Sequence, residues 1–292
     1  MAEANPDPYS HTLVQDSMTG QWFPAGYSAN QSTVLLTAFL ATYLGEDASK
    51  RSFSPFLKIP LPNWDIKYNG LSKIPFFQQW FTQINIQHRY SSTYTIASYY
   101  TDAAISAFIN DYDYGLESVL NATGDYIAPI SMDGVVITEQ FNPLLKLNVN
   151  MVNSLQFNLS VQKNRTLNLS FANNQLTETT RDGVTLGIGY RFKDVVIHIK
   201  TAEKTHELKN DLILNFNLTY TDNKTLIRRI NQGSTDGQVT SGSKVWIGEI
   251  DADYAVSQQL TLRLFIQTNI NQPYISFLTA TTKGGLSLRF NF

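Results

Sequence analysis

The sequence contains no cysteine, which excludes disulfides and thiolate metal sites. Charge is also scarce: Asp, Glu, Lys and Arg make up 16% of the 292 residues, against roughly a quarter in ordinary globular chains. With a formal net charge of −2, there is no electrostatic case for a nucleic-acid partner or for binding an anionic membrane surface. No stretch reaches the roughly 18 consecutive apolar residues of a membrane-spanning helix. The longest, "TVLLTAFLATYLG" (33–45), reads instead as a short buried helix, with Ser32 as its N-cap and Gly45 as its stop. A signal peptide is not recognisable in "MAEANPDPYS", because the first basic residue is Lys50 and no early apolar core precedes it.

Chemistry-bearing constellations are missing too. His11, His88, His198 and His206 have no metal-ligand spacing, and no G-x-S-x-G elbow supports a nucleophile. "GIGYRF" has two glycines without the third or a following helix, so it is not a dinucleotide loop. Gly187 and Gly189 leave two readings open: a local bend, or room for something packed against the strand. The acids of "DYDYGLESVLNATGDY" read as a solvated loop, and "LIRRIN" as a solvated basic spot. The expectation is a protein that is not an enzyme, with no catalytic, metal or cofactor-binding residues and no cofactor.

The chain does contain alternation. Residues 1–80 are irregular and proline-punctuated, and the prolines at 55, 60, 62 and 75 rule out a long central strand there. From Phe81 the texture changes, and Ile84, Ile86, Tyr90, Tyr94 and Ile96 share one parity; residues 101–138 then lose the rhythm and read as a long loop or insertion. From Pro143 onward apolar residues fall at every second position, as in Leu155/Phe157/Leu159/Val161 and Leu212/Leu214/Phe216/Leu218/Tyr220. Eight strands are expected, at about 143–151, 155–162, 166–173, 183–193, 209–222, 243–256, 259–268 and 283–292. No helical crossovers separate them, so the fold class is all-β, an antiparallel meander.

The opposite parity decides what kind of sheet this is. It carries Asn148, Asn150, Gln156, Asn158, Ser160, Asn168, Asn215, Asn217 and Thr219 rather than Lys and Glu. An amide and hydroxyl face backed by an aliphatic and aromatic one suits a sheet between lipid and a wet lumen, as in an outer-membrane β-barrel. It also makes the repeated N-x-[ST] sequons an automatic by-product of a polar strand face. Pairing like with like across a turn near Ser257 sets Tyr254 against Leu260 and Asp251 against Arg263, a lumenal cross-strand ion pair. On this count the turns near Ser257 and Asn164 share the end where the chain finishes. A turn near Asn153 and a long connection over 194–208 fit that scheme poorly. The chain closes on "GGLSLRFNF", whose Leu286, Leu288, Phe290 and Phe292 form one apolar row ending in an aromatic.

Several stretches taken in order resemble one family: "PNWDIKYNGLSKIPF" (62–76), "FNPLLKLNV" (141–149), "NNQLTE" (173–178), "LGIGYRFKD" (186–194), "DNKT" (222–225), "SGSKVWIGEIDADYAVSQQLTLRLF" (241–265) and "NQPYIS" (271–276). They are similar to the C-terminal part of the Sov/SprA proteins, outer-membrane translocons of the type IX secretion system in Bacteroidota. The resemblance runs over nearly the whole chain. It implies part of a large barrel in the cell outer membrane through which folded cargo proteins cross. The implied partners are outer-membrane lipid, the remainder of the barrel chain, plug and shuttle proteins of the secretion system, and the translocated cargo. Members of that family are several times longer, so the expectation is a closing segment whose N-terminus lies upstream. On this reading 1–80, with its short helix near 33–45, faces the plug or the periplasm, and 81–292 is the transmembrane barrel segment, with strands mainly at 81–100 and 143–292. Leu286, Leu288, Phe290 and Phe292 resemble the C-terminal barrel-assembly signal. Eight strands with a small polar inner face should stay an open, curved sheet, and its lumenal wall should be uncharged and offer passing cargo little to stick to.

Three other functions have discriminators. A TonB-dependent or porin-like transporter needs, in the TonB case, an N-terminal plug and an energy-coupling box. An outer-membrane hydrolase needs a His, an acid and a nucleophile at the lumen rim. A soluble secreted β-sandwich binding protein should be extracted without detergent.

Overall fold

The computed structural model describes residues 13–15, 20, 22–51, 54–101, 120–121, 124–128, 130–200, 205–230, 237–257 and 259–290. The elements in chain order are β1 (Leu13–Gln15), β2 (Trp22–Pro24), α1 (Ser32–Leu44), β3 (Trp64–Tyr68), α2 (Pro75–Gln78), β4 (Phe81–Ala97), β5 (Tyr100–Thr101) and β6 (Ile130–Ser131). The long strands follow: β7 (Gly134–Met151), β8 (Leu155–Ser170), β9 (Gln175–Lys200), β10 (Thr205–Arg229), β11 (Gln238–Ala255), β12 (Leu260–Pro273) and β13 (Thr279–Phe290). One antiparallel sheet holds nine of them in the order β13-β12-β11-β10-β9-β8-β7-β4-β3. Each long strand pairs with its sequence neighbour because the connections are too short for anything but a meander. The sheet is open, since β13 and β3 are its two edges.

Seven strands, not eight, span residues 134–290. The expected turn near Asn164 does not exist, and β8 runs straight through it. The polar run "QKNRT" stays extended because its charges have partners: Lys163 lies opposite Asp182, and Arg165 opposite Glu139. Removing that turn moves the Asn153 turn to the same end of the sheet as Ser257 and Phe290, which resolves one of the two misfits. The other is resolved because 195–200 and 205–210 continue the β9–β10 ladder, with Val195 opposite Asn210 and Lys200 opposite Thr205. β7 also begins nine residues before the expected Pro143, so residues 134–138 of the expected loop or insertion are strand, while most of the rest of it lies outside the described residues. The 1–80 region contributes one short edge strand to the sheet, β3, consistent with prolines barring anything longer.

The core sits under α1. Leu35, Leu36 and Leu40 pack on Val135, Ile137, Leu167 and Leu169, all buried, at the end of the sheet away from Phe290. Each such aliphatic side chain taken from water contributes about 1.5–3 kcal/mol, so this cluster fixes the helix on the sheet. Gly45 ends the helix as expected: at φ 68° its N–H reaches the Ala41 carbonyl, in the left-handed backbone region that residues with a side chain rarely adopt. Ser32, however, is the first helical residue rather than the cap. Gln31 holds the N-cap position, and its side chain donates to the Tyr126 carbonyl (2.7 Å) instead of capping the helix.

Candidate functional site

Cross-strand register aligns the apolar residues of successive strands into level rows. One row runs Leu145, Val161, Val184, Tyr220, Trp246, Ile270, Ala280; a second runs Ile84, Val149, Phe157, Ile188, Phe216, Ile250, Ile266, Gly284. A third, nearer the Phe290 end, runs Phe192, Leu212, Tyr254, Leu262, Leu288. Val184–Phe192, Leu212–Tyr220 and Trp246–Tyr254 therefore bound a band nine residues deep by number, with no Asp, Glu, Lys or Arg on this face. Nine residues span about 27 Å along a strand, and a tilted membrane strand needs about 9–11. One row beyond Tyr220 and Trp246 the same face turns charged: Lys163, Asp182, Asp222, Lys244. The Tyr220 and Trp246 rings pack together at this boundary, with centroids 4.2 Å apart.

The band is bare over β9 to β13. Ile250 is 57% exposed, Ile266 61% and Leu286 60%, and among the described residues no second layer faces them. Soluble monomers rarely expose an apolar patch beyond a few hundred Å², whereas here the exposed side chains continue over β9 to β13. Ile84 and Val149, at the β4–β7 side, are buried members of the band, and so is Tyr254 on β11. The Tyr254 hydroxyl reaches the Val195 and Leu208 carbonyls (3.1 and 2.9 Å) beside the irregularity between Asn210 and Leu212.

Opposite it, the polar face has two textures. From β7 to β10 it is amide, hydroxyl and glycine around the middle of the sheet, as expected. From β11 to β13 it is charged, so the expected uncharged wall holds only in part. Glu249, Asp251 and Asp253 project from β11 towards Arg263 of β12. Arg263 lies 3.0 Å from Glu249 and 3.3 Å from Asp251, and Gln267 donates to Glu249 (2.8 Å). Asp251 is 3% exposed, with Asn215 of β10 donating to its other oxygen at 2.8 Å.

The expected Asp251–Arg263 pair is thus present but is not directly cross-strand. Arg263 faces Asp253, Asp251 faces Phe265, and Tyr254 faces Leu262. The physical reason lies in the turn. Ser257 Oγ accepts from the Gln259 and Leu260 N–H groups, and the Leu260 carbonyl takes those of Val256 and Ser257. This centres the loop one residue later and slides the pairing by two. An even slide leaves every side chain on its expected face.

Gly187 and Gly189 are resolved by the neighbouring strands. A side chain on Gly189 would begin 2.8 Å from Asn215 Oδ1, and one on Gly187 2.9 Å from Asn217 Oδ1. The glycines give room to these amides of the same sheet, and one of the two holds Asp251. Sequence reading missed Glu249 as a partner of Arg263; its polar-face parity, matching that of Asp251, was the available signal.

Between α1 and the sheet, away from the Phe290 end, a cavity of about 490 Å³ is lined by Phe39, Tyr43, Tyr90, Glu139, Arg165 and Arg228 among others. Glu178 binds Arg228 at 2.6 Å and Arg165 at 2.8 Å. Burial opposes the charge of Glu178, but the two guanidiniums outweigh it and hold its carboxyl below the ordinary range. Tyr43 donates to Glu139 (2.9 Å), and burial, with Glu139 adding to it, pushes the Tyr43 hydroxyl up to about 12. No group of three or more His, Cys, Asp or Glu among the described residues has a metal-binding arrangement.

The row expected to act as an assembly signal lies on the edge strand. Leu286, Leu288 and Phe290 are 53–60% exposed and pair through β13 with Leu264, Leu262 and Leu260, while Phe292 lies outside the described residues. In comparison with known proteins, no family model and no curated protein matches this chain.

Proposed function

We propose that the chain is a wall segment of a large outer-membrane β-barrel and serves a protein-conducting channel of the type IX secretion kind. The observation that carries the barrel reading is the charge-free band on one face, bare over β9 to β13, backed by a polar face and followed by a charged row at the end away from Phe290. A soluble β-sandwich would bury Ile250, Ile266 and Leu286 against a second sheet. The open edges support the need for further strands, because an unpaired edge in lipid costs several kcal/mol for each backbone group. The translocon reading rests on the sequence resemblance. In this orientation the Phe290 end, with its short turns at Asn153 and Ser257, is periplasmic. The strand ends Arg229, Gln238, Pro273 and Thr279, on either side of the longer connections, then face outward, as do Ser170 and Gln175 beside a four-residue turn.

The orientation also reassigns the N-terminal region. α1 lies on the lipid-side face, beyond the charged row, so it caps the outer surface beside the barrel instead of plugging the lumen. The lumenal wall presents amides on β7–β10 and a self-neutralising cluster on β11–β12. In that cluster Glu249, Asp251, Arg263 and Gln267 bind one another and Asn215, which leaves these charges little for passing cargo to bind. The test is removal of the gene in its host. Cargo proteins should accumulate in the periplasm, and the protein should sediment with outer membrane and run heat-modifiably. Normal cargo export, with the protein in the membrane, would discard the translocon reading and keep the barrel.

A further inference from the structure

We infer that residues 70–81, which join β3 to β4, form an interfacial anchor seated in the headgroup layer of the phospholipid leaflet at the Phe290 end. The inference rests on the barrel reading above. The segment "GLSKIPFFQQWF" has no acid, one lysine and four aromatic residues. Most tight connections at sheet ends are polar, as at Asn153–Ser154 and Ser257, because they face water. This one is not.

Its local structure is compact. A 3₁₀ turn over Leu71–Lys73 leads into the single helical turn α2, with Pro75 in the position where a missing N–H costs nothing. The N–H groups of Ile74, Phe77 and Trp80 bond to the carbonyls three residues back, so the backbone satisfies much of its own demand. A short ordered segment of this kind is tolerable near lipid, where a loose loop is not.

Its position is fixed by two contacts. The Val152 N–H, in the β7–β8 turn, donates to the Trp80 carbonyl (3.0 Å), and Phe81 pairs with Met151 on the band's own face. The segment therefore sits at the lower margin of the apolar band and continues it sideways. Phe77 packs on Phe81 (6.1 Å) and Phe76 on Phe77 (5.4 Å), yet Phe76 is 67% exposed, Trp80 58% and Ile74 42%. Bulky apolar bodies, a Trp N–H and one Lys match the headgroup–acyl boundary, where amphipathic aromatic rings anchor. Continuity with the band favours lipid over a periplasmic protein as the occupant.

The absence of cysteine makes a single-site test direct. The complete barrel, this segment together with the strands that close it, carries Phe76→Cys, Ile266→Cys or Asn153→Cys, is spin-labelled and is reconstituted into phosphatidylethanolamine–phosphatidylglycerol vesicles. Collision with oxygen and with a water-soluble nickel chelate then reports depth. All three side chains are exposed. Phe76→Cys should show nickel-chelate collisions several-fold below Asn153→Cys, at a depth shallower than Ile266→Cys. If Ile266→Cys is deep while Phe76→Cys collides like Asn153→Cys, the anchor is overturned and the barrel stands; the segment then faces water or a soluble partner. If Ile266→Cys is also water-accessible, or the chain does not join the vesicles, the barrel reading falls and the anchor with it.

Discussion

Ile250→Arg is the substitution whose cost differs most between a lipid-facing and a water-facing band. Ile250 is the midpoint of Trp246–Tyr254 and sits in the row of Ile188, Phe216 and Ile266. It is 57% exposed, makes no polar contact and lines no described core. In water, replacing so open a side chain by arginine changes stability by no more than about 0.5 kcal/mol. At the middle of a bilayer the same change costs about 2–4 kcal/mol, falling to about 0–1 near the interface. Trp246→Arg, four residues away at the boundary row, should therefore cost less from the charge itself. It should lose mainly the packing of its ring on Tyr220, about 0.5–1.5 kcal/mol. Urea titration of the complete, vesicle-reconstituted barrel carrying either substitution in this segment, followed by heat-modifiable mobility, measures the difference. Equal, sub-kilocalorie effects at both positions would refute the lipid-facing assignment.

Replacing Phe290 and Phe292 by Ala should reduce membrane-integrated, heat-modifiable protein far more than Asn291→Ala, because the last strand must seat its aromatic end at the interface; equal outer-membrane levels would remove the assembly-signal role. Asp251→Asn should destabilise by about 1–3 kcal/mol, and Asp253→Asn by less, in urea titration. The Asp251 carboxylate is buried between Asn215 and Arg263, whereas Asp253 is 29% exposed and 3.8 Å from Arg263. Gly189→Ala should weaken the same cluster by displacing Asn215, and restoring room with Asn215→Ser should recover part of the loss. Glu178 has a lowered pKa, so its stabilisation is present above the unfolded carboxyl value, about 4.3, and is lost as pH falls through the depressed folded value. Hydrogen exchange should find α1 protection falling in acid, and less so in Glu178→Gln.

Two-residue periodicity made the sheet, its meander order and its two faces legible, because alternation along a strand is a direct consequence of the pleat. What it did not resolve was where strands end. Lys163 and Arg165 read as a turn because polarity at both parities mimics a loop. Their pairing with Asp182, Glu139 and Glu178 lies on strands far away in sequence. For the same reason the extension of β9 and β10 past Phe192 was invisible, since Asp194, Asn210 and Asp211 interrupt the alternation. Asp251 and Arg263 were legible as partners, but their offset depended on the Ser257 hydroxyl, a side-chain detail no periodicity carries. The helix was legible from its apolar run and from Gly45. Its resting place was not, because the patch formed by Val135, Ile137, Leu167 and Leu169 exists only once β7 and β8 pair.

The central claim is that one face of this sheet meets lipid and the other meets water. A cysteine scan of Leu212–Tyr220 in isolated membranes tests it most directly, since the chain has no cysteine of its own. Each variant is offered a membrane-impermeant maleimide and, separately, a lipid-dissolved thiol probe. Leu214, Phe216 and Leu218 variants should react only with the lipid probe, and Asn215, Asn217 and Thr219 variants only with the aqueous one. Aqueous labelling at all six positions, or no two-residue alternation between the probes, would contradict the account.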